Sequence, residues 1–129
     1  VVSWAGTNTQ FHVQLLSTQD AEPWLRTRTP NRAVFDADLV GAPLVLRRWR
    51  PGDRFQPAGM KGKSKKLQDL FTDLKLPRDK KNALPVLAAP AGIVWVPGIR
   101  PDERFLVRDQ STRCLLVTMI DRGDDKGEP

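Results

Sequence analysis

The sequence predicts an α+β domain: mostly antiparallel β layers, one main amphipathic helix at about residues 64–75, and a short second helix at about 78–82. Three observations carry that expectation. Short apolar runs recur along the chain, and the 11 prolines and 9 glycines supply turns between them. One stretch alone places apolar residues at helical spacing, with Leu67, Leu70, Phe71 and Leu74 at i, i+3, i+4 and i+7. Strands do not alternate with long helices, which argues against a doubly wound parallel sheet.

At 129 residues the chain fits a single domain, expected at 1–120, followed by a charged tail at 121–129 expected to be disordered. An apolar fraction of 40%, with 4 tryptophans and 5 phenylalanines, is enough for one core. Cys114 is the only cysteine, which excludes an intrachain disulfide and a cysteine-based metal site and fits a reducing, cytoplasmic setting. No apolar run approaches the roughly 20 residues of a membrane helix, so no membrane partner is expected. The first ten residues lack a basic segment followed by an apolar one, so no signal peptide is expected. The chain starts abruptly in what reads as a strand, which suggests a fragment of a longer protein.

In order, residues 10–17 alternate as a strand, with Phe11, Val13 and Leu15 on one face and His12 on the other. Residues 20–31, rich in Pro and Thr and containing Trp24, read as a surface connection. Strands are expected at 33–37 and 44–48, the second ended by Pro51-Gly52-Asp53. Residues 56–63 form a loop, and Ser64 can cap the helix that follows. Pro77 stops that helix and starts the short one. Strands at 84–88 and 93–96 flank the turn Ala89-Pro90-Ala91-Gly92, and two more are expected at 104–107 and 114–120. The frame R-P-x-[DE]-R-F occurs twice, at 50–55 and 100–105. It reads either as two similar turns with a paired acid and a buried Phe, or as two loops that set Arg54 beside Arg104.

Charge is concentrated in one segment. Residues 47–66 hold Arg47, Arg48, Arg50, Arg54, Lys61, Lys63, Lys65 and Lys66 against the single acid Asp53, a local +7 in a chain of net +6. The remainder nets −1, so the basicity is a local patch that asks for an anionic partner. Lys65 and Lys66 would fall in the first helical turn, where the macrodipole disfavours cations. A phosphate seated on the 60–66 loop and the helix start would relieve that conflict; a solvated lysine-rich loop is the alternative. Gly62-Lys63-Ser64 matches the end of a phosphate-binding P-loop, but its first glycine would have to stand where Pro57 does. His12 is the only histidine, and the serines have no identifiable base, so a binding module is favoured over an enzyme. Trp49 reads either as a core residue or as a platform for a base.

The run at 46–107 resembles the C-terminal domain of bacterial tRNA(Ile)-lysidine synthetases. The residues carrying the resemblance are Arg48, Arg50, Gly52-Asp53-Arg54-Phe55, Pro57, Gly59-Met60, Gly62, Lys65-Lys66-Leu67, Asp69, Phe71, Asp73, Lys75, Leu76-Pro77-Arg78, Pro85-Val86, Trp95-Val96, Gly98 and Asp102-Glu103-Arg104-Phe105. One departure is an extra residue at Gly62-Lys63-Ser64, where many members have a shorter link before Lys65-Lys66. The resemblance implies an ATP-dependent ligase that attaches lysine to the wobble cytidine of an isoleucine tRNA with a CAU anticodon. ATP and lysine would be used by an N-terminal catalytic domain of the same polypeptide, whose S-G-G-x-D-S loop is absent here. The C-terminal domain would need no cofactor, would not itself be catalytic, and would engage the acceptor-stem region. Its fold would be related to a domain of the phenylalanyl-tRNA synthetase β subunit. A homodimer is left open.

On that reading the RNA contacts are Arg48, Arg50, Arg54, Lys61, Lys63, Lys65 and Lys66, with Arg78, Lys80, Lys81, Arg100 and Arg104 as a second ring. Asp53 and Asp69 would orient them. The rival expectation is a basic interaction module that docks on an acidic protein.

Overall fold

A computed structural model of the chain describes residues 2–4, 9–27 and 29–121. In chain order its elements are β1 (Val2–Ser3), β2 (Thr9–Ser17), α1 (Thr18–Arg26), β3 (Arg32–Asp36), α2 (Ala37–Val40), β4 (Val45–Arg48), β5 (Arg54–Phe55), β6 (Lys65–Lys66), α3 (Leu67–Asp73), α4 (Arg78–Ala83), β7 (Pro85–Ala89), β8 (Gly92–Val96), β9 (Arg100–Pro101), a 3₁₀ turn (Glu103–Phe105) and β10 (Arg113–Asp121). Two four-stranded sheets, ordered β1-β2-β10-β3 and β4-β7-β8-β9, and a ribbon β5-β6 are antiparallel throughout.

The two large sheets face each other, and the pleat sorts their side chains. On β3, Ala33 and Phe35 point between the sheets, while Val34 points outward to Ala21, Cys114 and Leu116 under α1. On β7, Leu87 points between the sheets and Val86 faces Leu67, Leu70 and Phe71 of α3. The order of layers is therefore α1, sheet, sheet, α3. Trp95 fills the centre, edge-on to Phe11 at 6.2 Å and to Phe35 at 6.3 Å between ring centroids. Burying side chains of this size contributes about 1.5–3 kcal/mol each.

The α+β class with antiparallel layers holds, and several details differ from expectation. Residues 20–31 are not a plain connection. Ser17 Oγ accepts the Asp20 N–H at 3.1 Å and starts α1, which continues across Pro23. Asp36 ends β3 and caps the short α2 by accepting the Asp38 and Leu39 N–H groups. The main helix begins at Leu67, not Ser64. Lys65 and Lys66 pair as a strand with Phe55 and Arg54, and Ser64 Oγ instead accepts the Arg54 Nε–H at 2.9 Å. Leu74 is 47% exposed, because the helix ends before it and Lys75 turns the chain at φ 56°. Leu76 takes its place against the core. Residues 104–107 are not a strand: Asp102 caps the 3₁₀ turn, and Leu106 makes a single bridge to Phe35. On β2, Val13 and Leu15 are exposed, and Phe11 alone of that face is buried. The expected tail at 122–129 lies outside the described residues.

Candidate functional site

The basic segment is organised around Asp53. Its carboxylate accepts both Arg47 guanidinium nitrogens, at 2.9 and 3.1 Å, and the Arg50 N–H at 2.6 Å. Its backbone carbonyl accepts the Leu67 N–H at 2.9 Å, which ties the turn after β4 to the start of α3. Burial alone would raise the Asp53 pKa. The Arg47 hydrogen bonds, the Arg50 N–H and the charges of both arginines outweigh burial and hold the carboxyl below its usual range. Asp53 therefore does orient arginine, but it is the Arg47 side chain that it grips. Asp69 is exposed, with no ion pair or side-chain hydrogen bond among the described residues.

The following loop is a double turn. Pro57 O accepts the Met60 N–H at 3.1 Å across Gly59, whose φ of 88° suits the third position of a type II turn. Met60 O then accepts the Lys63 N–H at 3.1 Å across Lys61 and Gly62, at φ 55° and 81°, the pattern of a type I′ turn. Glu103 Oε1 accepts the Gly62 N–H at 3.0 Å. These backbone donors are consumed internally, and Lys65 and Lys66 precede the helix. The helix-dipole argument for a phosphate seat therefore falls away, and any anion must be met by side chains.

The double turn is fastened to the second R-P-x-[DE]-R-F frame. Asp102, 0% exposed, accepts the Gln56 N–H at 2.8 Å through Oδ2. It also accepts the Arg104 N–H at 2.8 Å, Arg104 Nε at 3.1 Å and Arg104 Nη2 at 2.8 Å. Gln56 O accepts the Glu103 N–H, and Pro101 O accepts the Ala58 N–H. Phe55 and Phe105 are both buried, as the structural reading of the repeat expects. The frames diverge at the acid: Asp53 holds Arg47 from outside its frame, whereas the equivalent Glu103 accepts the Gly62 N–H, and Asp102, at the variable position, holds Arg104.

The predicted contacts divide by how they are held. Arg48, Arg50, Arg54, Lys61, Lys63, Lys66, Arg78, Lys80 and Arg100 are exposed and have no acidic partner within ion-pair distance among the described residues. Lys65 pairs with Asp73 and Arg104 with Asp102, while Lys81 Nζ lies 5.4 Å from the Trp49 ring centroid. Trp49 packs edge-on to Phe71 at 5.3 Å and is part of the core margin. Arg54 stands directly opposite Lys66 on the β5-β6 ribbon. Like charges so placed destabilise a strand pair. The ribbon therefore carries a local conflict that folding alone does not explain, and an arriving anion would relieve it.

Among the described residues there is no group of three or more His, Cys, Asp or Glu able to hold a metal, and no helix is long and apolar enough to cross a membrane. Cys114 is buried, and burial raises its thiol pKa.

Fold and corner together define a small α+β domain that presents a basic ribbon and turn. The family model for the TilS substrate C-terminal domain matches residues 44–118. The chain belongs to that family. It is 43% identical over 108 residues to a tRNA(Ile)-lysidine synthase of Symbiobacterium thermophilum, covering 84% of this chain and 20% of that one. It is 39% identical over 92 residues to the tRNA(Ile)-lysidine synthase of Clostridium acetobutylicum, covering 71% of this chain and 20% of that one. The chain thus spans about a fifth of the length of these curated relatives. A crystal structure of a TilS C-terminal domain superposes with a TM-score of 0.75 at 25% identity, covering 94% of this chain and 90% of that one. An N-terminal fragment of the phenylalanyl-tRNA synthetase β-subunit from Pyrococcus horikoshii shares the fold, with a TM-score of 0.61 at 15% identity, covering 85% of this chain and 39% of that one.

Proposed function

We propose that this chain is the tRNA-docking part of a tRNA(Ile)-lysidine synthase, and that it binds the acceptor-stem region through the β5-β6 ribbon and the double turn. The observation that carries the reading is Arg54 set opposite Lys66, beside a turn that holds Lys61 and Lys63 exposed, with no acid within ion-pair distance of them among the described residues. On this reading the domain is not catalytic and needs no cofactor. ATP, lysine and the wobble cytidine of a tRNA with a CAU anticodon are handled by an N-terminal domain of the same polypeptide, in the cytoplasm. The exposed cations contact phosphate, so they set affinity and register rather than sequence choice. Asp53 and Asp102 contribute by fixing the two loops.

The test is binding of this chain to an isoleucine tRNA transcript and to its acceptor-stem hairpin across a salt series. Both should bind, with log K falling steeply against log salt. The double variant Lys61→Ala/Lys63→Ala should flatten that slope by about 0.9 for each lost phosphate contact. A chain that ignores both RNAs at low salt, yet is retained by an acidic protein, would move the function to protein docking.

A further inference from the structure

We propose that a cleft beside the basic turn receives a single unpaired nucleotide of the RNA, a site that rests on the RNA-docking reading but is separate from the duplex contacts. The cleft has a volume of about 320 Å³ and lies between the last turn of α1, the outer edge of β3 and the loop around β9. That size is at the lower end of small-molecule sites, which run from about 300 to 1,000 Å³. Its chemistry is mixed: the Trp24 indole, two guanidinium groups (Arg32 and Arg100), and an apolar wall that includes Val34 and Leu106.

Three features of these residues ask for a ligand. Arg32 Cζ lies over the Trp24 ring, 4.5 Å from its centroid, a cation–π contact that holds the guanidinium beside the indole. Its Nε is buried and donates to nothing among the described residues, and its Nη2 reaches only Thr27 O at a long 3.4 Å. A buried charged donor left unmade is costly, and an anionic oxygen would satisfy it. On the opposite side, Arg100 is exposed and makes only a 3.4 Å contact to Ala58 O. Ala58 belongs to the double turn that carries Lys61 and Lys63, so the cleft adjoins the surface assigned to the duplex.

A phosphate between Arg32 and Arg100 with a base against Trp24 and the apolar wall matches this set. Bases stacked inside an A-form helix cannot enter such a cleft, whereas an unpaired one can be splayed into it. Trp24, Arg32 and Val34 precede the segment 44–118 that defines the family match. The site therefore joins residues of the first third of the chain to Arg100 and Leu106 of the family segment.

The experiment compares two hairpin RNAs of identical stem, one blunt and one with a single-stranded 3′ extension. A third RNA carries the extension at the 5′ end. The extended hairpin should bind about tenfold more tightly than the blunt one, the low end of what one stacked base contributes. Trp24→Ala and Arg32→Gln should each bring that ratio close to one. Trp24→Phe, which keeps a ring, should retain most of it and guards against a fold defect. Equal binding of blunt and both extended hairpins, with the steep salt slope intact, would overturn the cleft and leave RNA docking standing. Failure of every hairpin to bind would overturn both. A ratio that survives both Trp24→Ala and Arg32→Gln would place the unpaired nucleotide elsewhere and refute the site.

Discussion

Replacing Asp102 with alanine should cost the fold several kilocalories and weaken RNA binding, although the change makes the protein more positive. Asp102 is 0% exposed and accepts four hydrogen bonds, two of them from the backbone N–H groups of Gln56 and Arg104. In Asp102→Ala those two N–H groups lose their acceptor where water has poor access, at about 1–3 kcal/mol each. The Arg104 guanidinium adds less, because its side chain is 40% exposed and can rehydrate. The sum is about 2–6 kcal/mol, which for a chain of this length lowers Tm by about 6 °C or more. Asp102→Asn keeps one acceptor oxygen and should cost about half as much. Circular dichroism melts read both. The RNA arm has the greater discriminating power. Simple electrostatics predicts tighter binding when a negative charge is removed. If Asp102 acts by holding the Gln56 and Glu103 loops together, the double turn loosens and affinity falls, by about threefold to tenfold when measured well below the variant's melting point. A Tm within about 3 °C of the parent, or RNA binding as tight as the parent's, would refute the reasoning.

Three further outcomes follow from the same geometry. Asp53 is held below its usual pKa, so its stabilisation is complete above the ordinary aspartate range and is lost as pH falls through the folded value; Asp53→Asn should be less stable near neutrality and should show a flatter loss of stability below about pH 4 in acid titrations. Gly59→Ala and Gly62→Ala, at φ 88° and 81° with open space around the added methyl, should each cost about 1–2 kcal/mol from backbone strain alone, read from urea midpoints. Leu67→Ala, at 0% exposure, should cost about 2–5 kcal/mol, whereas Leu74→Ala, at 47% exposure, should stay within about 0.5 kcal/mol; equal losses would put Leu74 back on the buried face.

Much of the fold was legible because hydrophobic period and turn chemistry agreed locally. The β7-β8 hairpin is the clearest case: two apolar runs meet across Pro90-Ala91, and Ala89 pairs with Gly92 as the spacing implies. The failures have physical causes. The Pro- and Thr-rich composition of 20–31 suggests a connection, but Ser17 and Asp20 carry an N-cap signature, and Ala21 with Leu25 supplies the apolar spacing of α1. The apolar period that starts next door extends the expected helix over Lys65 and Lys66. The pairing that makes them a strand comes from Arg54 and Phe55, a tertiary contact that no local pattern encodes. Val13 and Leu15 alternate correctly, yet alternation does not reveal how far the opposing sheet extends.

The basic segment was equally plain in the sequence, but charge counting treats every lysine and arginine alike, and the fold does not. It pairs Lys65 and Arg104 with acids, sets Lys81 over an indole, and leaves Lys61 and Lys63 on a turn whose backbone donors are already used. That last arrangement bears directly on function. Two cations on a mobile loop would lose conformational entropy on meeting a phosphate backbone, and that cost would come out of affinity. Here Asp102, Glu103 and Gln56 fix the turn in advance, through a second frame that lies fifty residues further on in the sequence. The repeated R-P-x-[DE]-R-F motif is thus better explained as a clasp than as two matched binding loops. Asp102, at the variable position of the second frame, is buried to hold the first loop, and Arg104 pairs with it.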